Sequence, residues 1–91
     1  MKAKFKVIDN GYRCRKSYKG FGWLIEGNDS SDAPSDVRAF HNYIIKVDKK
    51  TFDKASDFDD TFLKINYVKD FYLGFSNARE AKLWCERNPR V

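Results

Sequence analysis

The sequence predicts an α+β domain: a mainly antiparallel, curved sheet or small partly open barrel of about five strands, packed by a C-terminal helix. Three observations carry that expectation. Residues 2–8 alternate strictly, with Lys2, Lys4 and Lys6 on one side and Ala3, Phe5 and Val7 on the other, the period of a half-buried strand. Residues 37–47 alternate again, with Val37, Ala39, His41, Tyr43, Ile45 and Val47 sharing one side. Asn77-Ala-Arg-Glu80 has the spacing of a capping box and leads into Ala81, Trp84 and Cys85, with Asn88-Pro89 as the stop.

Ninety-one residues suffice for one core, so residues 1–91 are expected to form a single domain with no second unit to complete an active site. A hydrophobic fraction of 42% and an aromatic fraction of 16% can fill that core. The formal charge of +5 and a sequence pI near 9.3 point to an anionic partner. The charge is uneven: residues 1–19 carry seven basic side chains and one acid, whereas residues 20–36 carry four acids and no base. No apolar run has signal-peptide length or approaches the roughly 20 residues of a spanning helix, so a soluble, cytoplasmic chain without membrane contact is expected. In that setting Cys14 and Cys85 are expected to be reduced thiols packed as small hydrophobes, a disulfide being the alternative.

Asn10-Gly11 follows the first alternating run, and both residues tolerate positive φ, which predicts a two-residue type I′ hairpin with residues 12–18 as the returning strand. That turn pairs Val7 with Cys14, Lys6 with Arg15 and Ile8 with Arg13. One face then carries Lys2, Lys4, Lys6, Arg13, Arg15 and Lys19. Like charges directly opposite one another cost up to about 1 kcal/mol per pair, an expense that an anionic ligand would account for. The plainer alternative is that the cations keep an exposed sheet soluble and unpaired.

Residues 20–26 form the expected third strand, with 17–19 as the connection. This register sets Phe21 opposite Arg15 and Trp23 opposite Arg13, two rings among cations, the combination that binds single strands by phosphate neutralisation and base stacking. The competing reading makes both rings core residues and the glycines a bend. Residues 27–36 read as an acidic loop, residues 51–62 as a short helix with Thr51 as N-cap or an ordered loop, and residues 63–73 as strand-type sequence.

Catalytic options are thin. His41 is the single histidine, no nucleophile can be placed beside a base, and an enzyme built on Cys14 or His41 ranks last. Asp53, Asp57, Asp59 and Asp60 lack the glycine and terminal glutamate of a calcium loop and read as a solvated acidic surface. No enzyme activity, metal or cofactor is expected.

Lys19-Gly-Phe-Gly-Trp-Leu24 is similar to the first ribonucleoprotein motif of cold-shock domains, small OB-fold barrels that bind single-stranded RNA and DNA. Asp36-Val-Arg-Ala-Phe-His41 resembles their second motif. The resemblance covers about a third of the chain, and Cys14 and Arg15 stand where that family carries aromatic residues. It implies that Lys19, Phe21 and Trp23 contact nucleic acid, with Phe40 and His41 as further contacts. The segment from Gly74 to Trp84 also resembles the strand-to-helix step of three-stranded DNA-binding domains in integrases. The combined expectation is a non-catalytic binder of single-stranded RNA or DNA, with Lys4, Lys6, Arg13, Arg15 and Lys19 on phosphates and Phe21 and Trp23 stacking on bases. The alternative partner is a protein: an inhibitor or adaptor, such as a virus-encoded factor blocking a host enzyme, would use the same rings as interface anchors.

Overall fold

Trp23, Ile25, Ile45, Val47, Leu73 and Phe75 are buried at alternate positions of three neighbouring strands, and this period-2 pattern builds the core. The computed structural model describes residues 4–8, 15–28, 33–55 and 61–90. Six strands form one open antiparallel sheet in the order β1-β2-β3-β4-β6-β5: β1 Lys6–Ile8, β2 Ser17–Gly20, β3 Trp23–Gly27, β4 Tyr43–Val47, β5 Phe62–Tyr67 and β6 Asp70–Phe75. A 3-10 helix, Arg38–His41, precedes β4, α1 (Lys49–Lys54) follows it, and α2 (Ala78–Arg87) ends the fold. The α+β class, the antiparallel sheet and the C-terminal helix are as the sequence predicts; the sheet is open rather than barrel-like and has six strands among the described residues.

Helix α2 packs on one sheet face through Ala81 and Cys85, both fully buried, and through Trp84, whose ring meets Trp23 edge-on at 5.1 Å. Its start is the expected one, with the Asn77 side chain accepting the Glu80 N–H at 2.9 Å. Helix α1 lies on the same side, Phe52 against Phe71 at 4.9 Å. Its N-cap is Asp48 rather than Thr51, because Asp48 accepts the Thr51 N–H at 2.8 Å. The opposite face is partly covered by the 3-10 helix, whose Phe40 carbonyl sits where a Gly74 side chain would be. The strand expected over 37–47 is therefore shortened to Tyr43–Val47, and the preceding residues leave the sheet to cross that face.

The N-terminal pairing differs from the sequence reading in two ways. Lys6 faces Lys19, Val7 faces Tyr18 and Ile8 faces Ser17, so the register is shifted by four positions from the tight hairpin expected at Asn10-Gly11, which itself lies outside the described residues. Core packing selects this register. It brings Phe5 against the bare Gly20 backbone; on the other side of β2 the buried Ser17 hydroxyl accepts the Gly27 N–H of β3 at 3.0 Å. The second difference is the place of the next reversal. Gly20 pairs with Trp23, so the turn is Phe21-Gly22, with φ of 55° and 81°, the positive pair of a type I′ turn, rather than residues 17–19.

A second tight reversal, Val68-Lys69, separates β5 from β6 where the sequence predicts one strand-type run over 63–73. Val68 has φ of 57°, a left-handed conformation costing a β-branched residue roughly 1–2 kcal/mol, while glycine loses about 0.5–1 kcal/mol in chain entropy on folding. Val68→Gly is therefore expected to raise the stability by about 0.5–1 kcal/mol, read as a higher urea midpoint at unchanged slope. A lowered midpoint would mean that the exposed isopropyl group makes contacts outweighing the backbone strain.

Candidate functional site

The shifted pairing divides the expected site. Residues paired in an antiparallel ladder share a face, and the displacement of β1 against β2 is an even number of positions, so Lys6 and Lys19 remain together, now directly opposite each other. Moving the next reversal to Phe21-Gly22 changes parity on β3. Trp23 turns inward and is 5% exposed, while Leu24, opposite Lys19, turns outward at 41%. The expectation that Phe21 and Trp23 stand exposed beside Arg15 and Arg13 is corrected accordingly. Trp23 is a core residue whose Nε1–H donates to the Asn88 carbonyl at 2.7 Å, and Phe21 sits in the turn with its ring 5.5 Å from Phe5.

The other expected contacts are dispersed. Lys4 reaches α2 and pairs with Glu86 at 2.6 Å. Arg15 donates from Nη1 to the Asn28 carbonyl at 3.1 Å, and Arg13 lies outside the described residues. Phe40 and His41 are half-buried in the 3-10 helix, where His41 Nδ1 lies 3.1 Å from the Val37 carbonyl and so carries the proton that it donates. Cys85 is a free thiol on the buried face of α2, and burial, with a smaller push from Glu86, raises it to about 12, far from thiolate reactivity. Cys14 lies outside the described residues, as does most of the acidic cluster; Asp53 pairs with Lys49 at 2.9 Å. Among the described residues no group of three or more metal-ligating side chains converges, and no helix is long and apolar enough to cross a membrane.

What the open face does gather is a row running across the sheet. Lys6 faces Lys19, Lys19 faces Leu24, the row continues to Lys46 on β4, and Lys46 faces Tyr72, which faces Ile65. Lys6, Lys19 and Lys46 are exposed and Tyr72 is half-buried. Lys46 has Asp70 at 3.4 Å on a well-exposed surface, a weak restraint. Lys19 and Lys46 also line a depression of about 450 Å³ with Leu24, Glu26 and Arg90. Lys46 was readable, because the alternation that buries Ile45 and Val47 turns it outward; Tyr72 was not, because its place beside Lys46 follows from the pairing of the non-consecutive strands β4 and β6.

A second depression, of about 580 Å³, lies between α1 and the C-terminal end of α2 and adjoins the first, sharing Trp23, Asp48 and Arg90 with it. Trp23 and Trp84 form its apolar wall, and Lys50, Lys54 and Arg90 surround it. Asp48 is held below the usual carboxylate range by its hydrogen bonds from the Thr51 hydroxyl and amide, with a lesser pull from Arg90. The tail is fastened there: Arg90 N–H donates to the Phe21 carbonyl at 2.8 Å, and the Arg90 guanidinium lies 5.0 Å from the Trp23 ring centre.

No protein-family model matches the chain, and no curated protein or solved structure matches it either.

Proposed function

We propose that this protein is a non-catalytic binder of single-stranded nucleic acid that holds phosphates on the open sheet face. The observation that carries this reading is the direct pairing of Lys6 with Lys19, both exposed and neither within ion-pair distance of a carboxylate among the described residues. Like charges facing across a ladder destabilise it, and a bound phosphate turns that repulsion into attraction for both partners. Lys46 extends the cationic row by two strands, on the order of 10 Å at the usual strand spacing, and Tyr72 supplies a ring beside it. The absence of catalysis is part of the proposal: His41 is engaged by a backbone carbonyl and Cys85 is a buried, protonated thiol.

The test is binding of a short fluorescent RNA across a salt series. Three lysines on phosphates predict a slope of log K against log salt near −2, at about −0.7 per contact on single strands. Lys19→Ala and Lys46→Ala should each flatten it by about 0.7. A slope indistinguishable from zero for the parent protein sinks the proposal.

A protein-binding inhibitor or adaptor draws support from one feature, the β5–β6 tip, where Tyr67 is 69% and Val68 80% exposed. An aromatic and an aliphatic side chain on a protruding turn make a suitable interface anchor. Under that reading Tyr67→Ala abolishes the biological effect while RNA affinity is unchanged.

A further inference from the structure

We propose that the groove between α1 and the end of α2 is a separate binding site for a nucleoside phosphate. Its volume, about 580 Å³, falls within the range of roughly 300–1,000 Å³ typical of small-ligand sites. Its chemistry has two halves. Trp84 is half-buried and held edge-on against Trp23 at 5.1 Å, which presents a fixed indole wall suited to a planar base. Around that wall stand Lys50, Lys54 and Arg90, with Asp48 as the opposing carboxylate.

The disposition of charge on α1 favours an anion. Three of its six residues are lysines, and the helix uses only Lys49 in an internal pair, with Asp53. Lys50 and Lys54 are four positions apart on the same side of the helix, an arrangement that weakens a helix through like-charge repulsion. Both are exposed and both line the groove, with no ion-pair partner among the described residues. Asp48 is occupied as the N-cap, accepting from Thr51, which leaves the cationic side chains in excess. The arginine is positioned independently of any ligand, since its backbone is tied to the Phe21 carbonyl. An inorganic anion would leave the indole wall unused, and an uncharged nucleoside would leave the cations unused; a nucleoside phosphate engages both.

The groove adjoins the sheet-face depression and shares Trp23, Asp48 and Arg90 with it, but Lys50, Lys54 and Trp84 line the groove and not that depression, so variants at the two lysines test this site separately. The chain has two tryptophans, both in the groove wall; Trp23 also borders the sheet-face depression, so intrinsic fluorescence reports binding and the lysine variants assign it to the groove. The 91-residue protein would be titrated at low salt with adenosine 5′-monophosphate, with adenosine and with inorganic phosphate. The monophosphate is expected to change the fluorescence saturably and to bind at least about tenfold more tightly than either fragment, a difference of about 1.4 kcal/mol. A Lys50→Ala/Lys54→Ala double variant should weaken it by about tenfold or more while keeping the parent melting temperature, and Lys54→Arg should retain it. Lys6→Ala/Lys19→Ala should leave it unchanged while flattening the RNA salt slope, which separates failure of one site from failure of the other. No saturable change with the monophosphate, equal binding of adenosine, or full affinity in the folded Lys50/Lys54 double variant would each overturn the proposal.

Discussion

Trp23→Ala is expected to cost about 3–5 kcal/mol, most of the stability of a domain this size, so that urea unfolding of the variant begins without a native baseline. Three contacts disappear together: the edge-on packing with Trp84, the guanidinium of Arg90 over the ring, and the Nε1–H bond to the Asn88 carbonyl. Trp23→Phe separates them. It keeps a ring in the core and removes the hydrogen bond, leaving a part-buried carbonyl unpartnered at a cost of about 1–3 kcal/mol, and the variant should remain folded. Its RNA affinity should equal that of the parent, because this side chain supports the sheet from inside and does not stack on bases. A folded Trp23→Phe protein with tenfold weaker RNA binding would restore the contact role that the sequence motif suggested.

Gly22→Ala is the second large effect. With φ of 81°, alanine at this position pays roughly 1–2 kcal/mol for a left-handed conformation, and its methyl group would collide with the Arg90 carbonyl oxygen. The turn cannot move away without breaking the Arg90 N–H bond to Phe21, so the tail must detach. The expected result is a loss of more than 2 kcal/mol in urea unfolding, accompanied by faster amide exchange at Arg90 and weaker nucleoside monophosphate binding in the groove. Slow exchange at Arg90 in this variant would show that the tail accommodates the methyl group.

Local signals were legible wherever the chemistry of a few neighbouring residues decides the structure. Asn77 and Glu80 place the start of α2, and the alternation of Tyr43, Ile45 and Val47 puts these three on the core side of β4. The shared face of Lys6 and Lys19 survived an incorrect register because the displacement was even. Trp23 did not survive, because its orientation depends on where β2 reverses. The reversal uses Phe21 at positive φ, a residue that sequence rules place far behind glycine, asparagine and aspartate for such a turn. Two glycines flanking a phenylalanine therefore read as part of the third strand when Phe21 and Gly22 form the hairpin turn that precedes it. The groove was illegible for a different reason: Lys50, Lys54, Trp84 and Arg90 come from separate segments and meet only after the sheet has formed.

The bonds that join residues 88 and 90 to residues 23 and 21 have a kinetic consequence. They close a loop spanning most of the domain, and β6 must slot between β4 and β5 before α2 has a surface to settle on. Closing a loop of 65 residues costs chain entropy that the packed sheet must offset before these bonds can form. Until residues 84–90 dock, the Trp23 indole lacks the Trp84 ring, the Asn88 carbonyl and the Arg90 guanidinium, so a species with this segment detached exposes apolar surface of the kind that drives aggregation.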